Sequence, residues 1–275
     1  MNGRSPTIGV FDSGVGGLSI AAEIHRRLPD LPLQYLADQA HVPYGSRPLE
    51  EIRRLSVAIT RYLLGHGSSV IVVACNTASA AALQLLRSTF PDTPFVGMEP
   101  ALKPAAAETR TGKVGVLATP TTFQGTLYAS LLDRFASGVI VYEHTCPGLV
   151  AEIEAGRVEG PEARRILTEA LEPMMAEGVD RVVLGCTHYP FVLPLIRSIA
   201  GPSVEVIDPA PAVARQVGRV LESIDHIPAL PVPSSVLQTT GQPDGLNAFL
   251  SQFPELFNFP IPVEKVNWID GNLVL

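Results

Sequence analysis

Residues 69–86 read SVIVVACNTASAAALQLL, and this stretch decides the class of fold. A short run rich in valine and isoleucine leads into Cys75, and an alanine- and leucine-rich helical pattern follows at once. A continuous apolar strand is typical of a parallel sheet that helices cover on both faces, because neither face meets water. We therefore predict a buried parallel strand and then a helix, with Cys75 at the carboxyl end of the strand.

The same alternation of strand and helix recurs in both halves of the chain. The strand-like segments are, in order, TIGVFDSG, LQYLAD, SVIVVACNT and PFVGMEP, and then KVGVLATP, VIVYEHTCP, RVVLGCTHYP and VEVIDPA. Corresponding strand ends carry corresponding residues, namely Ser13 and Thr119, Cys75 and Cys186, and Glu99 and Asp208. An α/β fold is predicted, with two similar βα domains that have mainly parallel sheets and are related by an approximate two-fold axis.

The domain boundaries follow from this repeat. We predict a first α/β domain from residues 1–98 and 209–275, and a second from residues 99–208. The C-terminal part contains a proline-rich connector, HIPALPVPSS, and then the segments SVLQTTG, DGLNAFLSQF and PVEKVNW. We expect this part to pack onto the first domain, and no chemistry is visible in it.

Composition excludes several classes of protein. With 46% hydrophobic and 17% charged residues, the 275-residue chain is typical of a globular protein. A net charge of -7 without basic clusters argues against nucleic-acid binding. No apolar run approaches a membrane span, and the start MNGRSPTIGVFDSG lacks a signal pattern, so a cytoplasmic protein without membrane contact is expected. The three cysteines have no CxxC spacing, which predicts reduced thiols and no structural metal site.

Two of these cysteines are candidates for chemistry. Cys75 and Cys186 each follow a strand and precede a helical pattern. A helix N-terminus stabilises an anion, which lowers the pKa of a thiol and makes it a base near neutral pH. Ligands of open α/β sheets bind beyond the carboxyl ends of the strands, so we expect the two thiols to face each other in a cleft between the domains. A lone cysteine is as readily a buried apolar side chain, and Cys146, which lacks the helical sequel, is assigned to packing.

The glycine-rich turn FDSGVGGLS invites comparison with dinucleotide-binding loops. Ser19 stands where the dinucleotide pattern has its third glycine, and no Walker lysine follows, so a nucleotide site is disfavoured. Asp12, directly before the glycines, would repel a pyrophosphate but can hydrogen-bond a substrate ammonium or orient a thiol. The alternative is that Asp12 or Ser13 caps the following helix.

Further polar residues adjoin these strand ends. Short donors lie at the two expected helix starts: Asn76, Thr77 and Thr187. They suit a substrate carboxylate or serve as ordinary N-caps. Tyr44 lies in HVPYGSRP, whose proline and glycine indicate a fixed surface loop that presents an aromatic donor or is purely structural. His188 is close enough in sequence to hydrogen-bond the Cys186 thiol or shuttle a proton, unless its place is incidental.

Four motifs, FDSGVGGLS, PYG, ACNTASA and LGCTHYP, together resemble the glutamate racemase family from residue 7 to about residue 210. Aspartate racemases are similar in fold and mechanism, but HYP after the second cysteine resembles the glutamate branch. The resemblance implies inversion at Cα of glutamate without pyridoxal phosphate, metal or any other cofactor. It also implies that D-glutamate is supplied to bacterial peptidoglycan, and so to cell-wall biogenesis and cell shape.

The resemblance also implies roles at matching positions. Cys75 carries the chemistry as the base for D-glutamate and Cys186 as the base for L-glutamate, with Asp12 and His188 assisting. Substrate contacts are implied for Asp12, Ser13, Pro43, Tyr44, Gly45, Asn76, Thr77, Thr119, Thr122, Thr187 and His188.

At two places in the second half of the chain, the match to the family pattern is less direct. The family has an assisting carboxylate after its CP segment, and by offset this is Glu154, with Glu152 as the alternative. Either could instead be an ordinary solvated carboxylate on a helix. In the segment TPTT, Thr121 stands where the family more often has glycine.

Racemisation removes the Cα proton from one face of the substrate and returns a proton to the other, so two opposed thiols suit it. Three alternatives stay open: an aspartate racemase, a non-catalytic amino-acid-binding protein, and a cysteine hydrolase or acyltransferase that uses Cys186 with His188. The last would leave Cys75 without a role. The expected partner is the small molecule glutamate, and a homodimer is an open alternative for the assembly.

Overall fold

The computed structural model describes residues 6–223, 234–257 and 260–275. Described residues of Met1–Met98 and Ala210–Leu275 form one compact unit, and Glu99–Pro209 form a second. The predicted proline-rich connector, residues 226–235, lies outside the described residues except for its last two serines.

The described strands are, in chain order, β1 (Thr7–Asp12), β2 (Leu33–Ala37), β3 (Ser68–Val73), β4 (Phe95–Val96), β5 (Lys113–Ala118), β6 (Ile140–His144), β7 (Arg181–Gly185), β8 (Glu205–Ile207), β9 (Val236–Thr239), β10 (Val263–Lys265), β11 (Asn267–Ile269) and β12 (Asn272–Val274). The α-helices are α1 (Leu18–Arg27), α2 (Leu49–Gly65), α3 (Asn76–Thr89), α4 (Leu102–Glu108), α5 (Pro120–Gln124), α6 (Thr126–Phe135), α7 (Leu149–Glu154), α8 (Pro161–Ala176), α9 (Leu193–Ala200), α10 (Ala210–Glu222) and α11 (Pro243–Gln252). Short 3₁₀ helices span Tyr44–Ser46 and Tyr189–Val192.

The first unit is built on a sheet with the strand order β10-β9-β2-β1-β3-β4, in which all paired strands are parallel. Strand β1 lies between β2 and β3, and all its residues are buried, as expected for a strand that helices cover on both faces. Helix α1 packs against α10, and α2 packs against α3. The C-terminal strands β9 and β10 extend the sheet beyond β2 and so pair its edge, while the β11–β12 hairpin contacts α2.

The second unit has a parallel sheet in the order β6-β5-β7-β8. This is the order of β2-β1-β3-β4 in the first unit, so each unit places its third strand beside its first. Cys75 follows β3 and Cys186 follows β7, which makes their positions topologically equivalent. The predicted α/β class with parallel sheets is confirmed. Among the described helices, none has the length and apolarity that crossing a bilayer demands.

Candidate active site

Cys75 is the N-cap of α3, so the predicted helix begins directly after it. Its Sγ accepts a hydrogen bond from the Ala78 backbone N–H at 3.4 Å and lies 3.9 Å from the Ser13 hydroxyl oxygen. The side chain is almost fully buried. A backbone donor and the positive end of the helix dipole both stabilise negative charge on sulfur. The surroundings of Cys75 therefore suit a thiolate.

Asp12, the last residue of β1, is completely buried and is held by the glycine turn. Its Oδ2 accepts from the Gly14 backbone N–H at 3.0 Å. A Cβ added at Gly17 would lie 2.6 Å from Asp12 Cβ, so the close approach of the turn requires glycine there. Helix α1 has Gly17 as its N-cap, which excludes the alternative that Asp12 or Ser13 caps it. The turn thus fixes the Asp12 carboxylate beyond the end of β1.

Tyr44 begins the 3₁₀ helix after Pro43, and its side chain is buried rather than displayed at the surface. The expectation of a surface aromatic donor is therefore wrong for the Tyr44 ring, although Pro43 itself is exposed. Burial raises the pKa of Tyr44 well above its ordinary value, and the negative charges of Asp38, Cys75 and Asp12 raise it further. Tyr44 is thus a neutral phenol within electrostatic reach of Cys75 and Asp12.

Asn76 and Thr77 form the buried first residues of α3. Neither the amide nitrogen nor the amide oxygen of Asn76 has a hydrogen-bond partner among the described residues. A buried amide without partners is costly, and such groups in native proteins call for an explanation. A ligand that reaches the end of β3 would supply the missing partner.

Cys186 follows β7 and is also buried, but no α-helix begins there. The chain first forms the 3₁₀ helix Tyr189–Val192, and α9 starts only at Leu193. The prediction of a helix N-terminus at the second cysteine is therefore wrong. Pro194 lies in the first turn of α9, where a missing N–H costs nothing, so the proline places the helix start further along the chain.

At Cys186 the group next to the sulfur is the His188 side chain rather than a helix N-terminus. Its Nδ1 lies 3.8 Å from Cys186 Sγ, and its Nε2 lies 2.6 Å from Glu154 Oε1. Burial lowers the pKa of His188, but hydrogen bonds and negative charges from Cys186 and Glu154 outweigh burial and raise it well above 6.5. Glu152 instead pairs with Arg157 at 2.7 Å, which lowers the pKa of Glu152. The geometry brings Glu154, and not Glu152, to His188, which lies beside the second cysteine.

The sequence is similar to those of known racemases. The Asp/Glu/Hydantoin racemase family model matches residues 11–217. A glutamate racemase of Ectopseudomonas mendocina (strain ymp) is 49% identical over 250 residues, which cover 91% of this chain and 95% of that protein. The chain belongs to the glutamate racemase family. The predicted family and the predicted class of enzyme, an amino-acid racemase, are confirmed.

Solved structures of glutamate racemases share the fold. The Escherichia coli enzyme, crystallised with L-glutamate and the activator UDP-MurNAc-ala, has a TM-score of 0.85 and 32% identity, covering 97% of this chain and all of that one. The Francisella tularensis enzyme, crystallised with D-glutamate, has a TM-score of 0.81 and 25% identity, covering 97% of this chain and 98% of that one. This chain therefore has the fold of glutamate racemases along nearly its whole length.

The predicted site threonines of the second unit follow the carboxyl ends of β5 and β7. Thr119 is the N-cap of α5 and accepts from the Thr122 backbone N–H at 3.3 Å, while the two hydroxyl oxygens lie 2.9 Å apart. Thr121, which departs from the glutamate racemase pattern, fits the first turn of α5 without a positive φ. Thr187 is buried next to Cys186. The departure at Thr121 therefore leaves this turn helical.

Cys146 lies in the same unit as Cys186 and is a buried thiol. Burial raises the pKa of the Cys146 thiol to about 12, and the negative charge of Cys186 contributes. Its Sγ lies 3.5 Å from His144 Nδ1, and its backbone has a positive φ of 45°. A thiol with that pKa stays protonated at neutral pH and is a poor base.

Sequence reasoning missed Asp38, a buried carboxylate directly after β2. Its oxygens accept from the side chains of Tyr44, Thr240 and Trp268, and Oδ2 lies 3.0 Å from His41 Nδ1. The available signal was its place after a strand-like run, LQYLA, which resembles the place of Asp12 at the end of β1. Because two of its partners come from the distant C-terminal segment, sequence spacing gives no indication of this cluster. Among the described residues, no group of His, Cys, Asp and Glu side chains is arranged to hold a metal ion.

Proposed function

We propose that this racemase interconverts L-glutamate and D-glutamate by direct proton transfer at Cα, with Cys75 and Cys186 as the two bases and without a cofactor. The observation that carries the proposal is the equivalent place of the two buried cysteines, each after the third strand of its unit. Solved relatives hold L-glutamate in one case and D-glutamate in another. That both cysteines face one substrate across a cleft stays a prediction of this mechanism.

In the proposed reaction, one cysteine is a thiolate and the other a thiol at the start of each turnover. With L-glutamate, the Cys186 thiolate takes the Cα proton, and the Cys75 thiol donates a proton to the opposite face. The Cα–H bond breaks, a new one forms, and the enzyme is left with a Cys75 thiolate that is ready for D-glutamate. The two cysteines therefore exchange protonation states at each turnover. Assignment of each cysteine to one enantiomer rests on the family resemblance.

The two bases are supported by different means. Cys75 has the N-terminus of α3 and the Ala78 N–H, whereas Cys186 has the His188 imidazole backed by Glu154. An amino-acid Cα–H is a far weaker acid than a thiol, and each pK unit of mismatch costs about 1.36 kcal/mol. Burial of both sulfurs excludes water and strengthens every donor directed at the developing carbanion.

The remaining predicted residues are proposed to orient glutamate. The Asp12 carboxylate, fixed by the glycine turn, is suited to the substrate ammonium or to orienting Cys75. Hydroxyl, amide and backbone donors suit the carboxylates of the substrate. They belong to Ser13, Tyr44, Gly45, Asn76, Thr77, Thr119, Thr122, Thr187 and His188, whereas Pro43 has no N–H and would contact the substrate through its ring or its carbonyl.

The direct test is circular dichroism of L-glutamate and, separately, of L-aspartate in the presence of the enzyme. We expect the L-glutamate signal to decay to zero, unaffected by a chelator and without added pyridoxal phosphate, while L-aspartate stays unchanged. Faster decay with L-aspartate would make the protein an aspartate racemase. Calorimetric binding of glutamate with a constant optical signal would make it a binding protein.

Asn76 offers a sharper test because its amide has no hydrogen-bond partner in the part of the chain that the structure describes. We expect Asn76→Ala to raise KM for glutamate about tenfold and to change the free energy of unfolding by less than about 0.5 kcal/mol. The matched control on α3 is Ser79→Ala. The Ser79 hydroxyl donates to the Val73 carbonyl and accepts from the Met98 N–H, so its loss should cost about 1–3 kcal/mol of stability and leave KM unchanged. Steady-state kinetics and urea unfolding measure both, and a stability loss at Asn76 without a KM effect would assign it to packing.

The biological setting rests on the family resemblance. We propose that the enzyme works in the cytoplasm and that the D-glutamate it forms is used to build peptidoglycan. The gene should therefore rescue a bacterium that requires D-glutamate for growth. Growth only with added D-glutamate would contradict this role. A homodimer stays a prediction, which light scattering of the purified enzyme measures directly.

A further inference from the structure

The side chains of Asp38, His41, Tyr44, Thr240 and Trp268 form what we call the Asp38 cluster. Asp38 Oδ2 accepts from the Tyr44 hydroxyl at 2.7 Å and lies 3.0 Å from His41 Nδ1. Asp38 Oδ1 accepts from the Thr240 hydroxyl at 2.8 Å and from Trp268 Nε1 at 2.7 Å. One carboxylate thus joins the end of β2, the segment before α2, the end of β9 and strand β11.

Because the Asp38 carboxylate is buried, it needs hydrogen-bond donors from the protein. Asp38 is completely inaccessible to solvent, and a buried carboxylate is tolerated only when hydrogen bonds replace the lost water. An ionised carboxylate has about four lone-pair sites, and four side chains lie within hydrogen-bonding distance of Asp38. Loss of the carboxylate therefore leaves several buried donors without an acceptor. Such an arrangement holds its members in one geometry.

The cluster is connected to the first base through Tyr44. The Tyr44 ring packs in the same apolar core as Cys75 and Ala78, and the 3₁₀ helix that begins at Tyr44 contacts α3. A shift of the Tyr44 hydroxyl would therefore move a side chain that lines the surroundings of Cys75. The neighbouring Gly45 backbone would move with it.

We propose that Asp38 is a positioning residue for racemisation, which holds Tyr44 and its segment in place beside Cys75. The C-terminal segment contributes through Thr240 and Trp268, so the part of the chain in which no chemistry was visible supports the site. This inference rests on the proposed function, because Tyr44 is proposed there as a substrate contact and Cys75 as a base.

A double-mutant cycle tests the inference, with kcat and KM measured for L-glutamate on folded enzyme. Asp38→Asn keeps the shape but replaces an accepting oxygen by an amide N–H₂, and Tyr44→Phe removes the donor. We expect each single change to lower kcat/KM on the order of tenfold to a hundredfold, mainly through KM. The kcat/KM of the double variant should be no lower than that of the less active single variant, because the two substitutions remove the same interaction.

Trp268→Phe keeps a six-membered aromatic ring and removes the five-membered ring with the indole N–H that donates to Asp38. It should lower kcat/KM several-fold, again without adding to Tyr44→Phe. Trp268 is the single tryptophan of the sequence, so the wild-type emission reports on the cluster, and Asp38→Asn should shift it. If Asp38→Asn does not fold, Trp268→Phe carries the cycle in its place.

The matched control is Asp180→Asn in the second unit. Asp180 is also a buried carboxylate, which accepts from the Thr109 and Thr111 hydroxyls and the Arg110 backbone N–H. We expect it to lower the denaturation midpoint, to leave kcat/KM near the wild-type value, and to be additive with Tyr44→Phe.

The outcomes separate the inference from the proposed function. If Tyr44→Phe lowers kcat/KM but adds fully to Asp38→Asn and Trp268→Phe, the inference about Asp38 is overturned while the role of Tyr44 stands. If Tyr44→Phe leaves both kcat and KM unchanged, the proposed role of Tyr44 fails, and the inference fails with it. A non-additive cycle with an additive Asp180 control supports the inference.

Discussion

Alanine in place of Cys75 or of Cys186 is expected to abolish measurable racemisation in both directions. A positioned acid or base contributes about 10²–10⁴-fold to such a step, and each variant lacks one of the two groups. Enantiomers have equal free energy, so kcat/KM must fall equally for L-glutamate and for D-glutamate. Circular dichroism measures the loss in each direction.

Proton exchange separates the two cysteines where racemisation rates cannot. In deuterated water, Cys75→Ala keeps the base proposed for L-glutamate. This variant should slowly exchange the Cα proton of L-glutamate for deuterium, with retention of configuration. Cys186→Ala should do the same with D-glutamate only. Proton NMR of the recovered enantiomers measures this exchange, and the opposite pattern would reverse the assignment of the bases.

The natural control is Cys146→Ala, which removes a buried thiol from the same unit as Cys186. Because burial raises the pKa of Cys146 to about 12, this thiol is not a base at neutral pH, and the variant should racemise glutamate nearly as the wild type does. Racemisation that survives in Cys75→Ala or Cys186→Ala would rule out the two-base mechanism.

Glu154→Gln is expected to move the alkaline limb of the pH–rate profile to lower pH. In the proposed mechanism, protonated His188 stabilises the Cys186 thiolate, so activity should fall as pH rises through the pKa of His188. Burial lowers that pKa, but Cys186 and Glu154 together raise it well above 6.5. Glutamine keeps an oxygen for His188 Nε2 and removes the charge, so the limb should move by about one pH unit or more.

The matched control lies on the same helix. Glu152→Gln removes a carboxylate that pairs with Arg157 and not with His188, so the profile should stay as in the wild type. A shifted limb in Glu152→Gln and an unchanged one in Glu154→Gln would make Glu152 the assisting carboxylate. Profiles of kcat/KM from acid to alkaline pH for the three enzymes decide between them.

Stability should show the same linkage. Because the folded-state pKa of His188 is raised, its protonation contributes stability that is fully present below 6.5 and is lost as pH rises through the folded value. Glu154→Gln weakens this contribution. The difference in the free energy of unfolding between wild type and Glu154→Gln should therefore be largest near pH 6 and shrink at alkaline pH, which urea unfolding measures.

Much of the fold was predictable because its signals are local. The runs VIVVA and VVLG contain no polar side chain, which is typical of strands that helices cover on both faces, and they supply most of β3 and β7. The repeat of strand ends identified Cys75 and Cys186 as equivalent positions, and the four strands of the second sheet have the order of β2-β1-β3-β4 in the first.

Tertiary structure alone decided how the side chains around each cysteine are arranged. Both cysteines precede a helical pattern, yet only Cys75 caps an α-helix, because Pro194 and the 3₁₀ helix Tyr189–Val192 delay the helix after Cys186. The choice of Glu154 over Glu152 depends on which face of a short helix meets His188, which residue types do not specify.

The Asp38 cluster shows the same division over a longer distance. An aspartate after an apolar strand is readable in sequence, but its donors Thr240 and Trp268 are brought to it by the pairing of β9 with β2 and by the hairpin that follows. The sequence by itself determined the strands, the repeat and the two cysteines, because these depend on local apolar patterns. Only the folded chain decided the partners of each polar group, because hydrogen bonds join residues that the topology brings together.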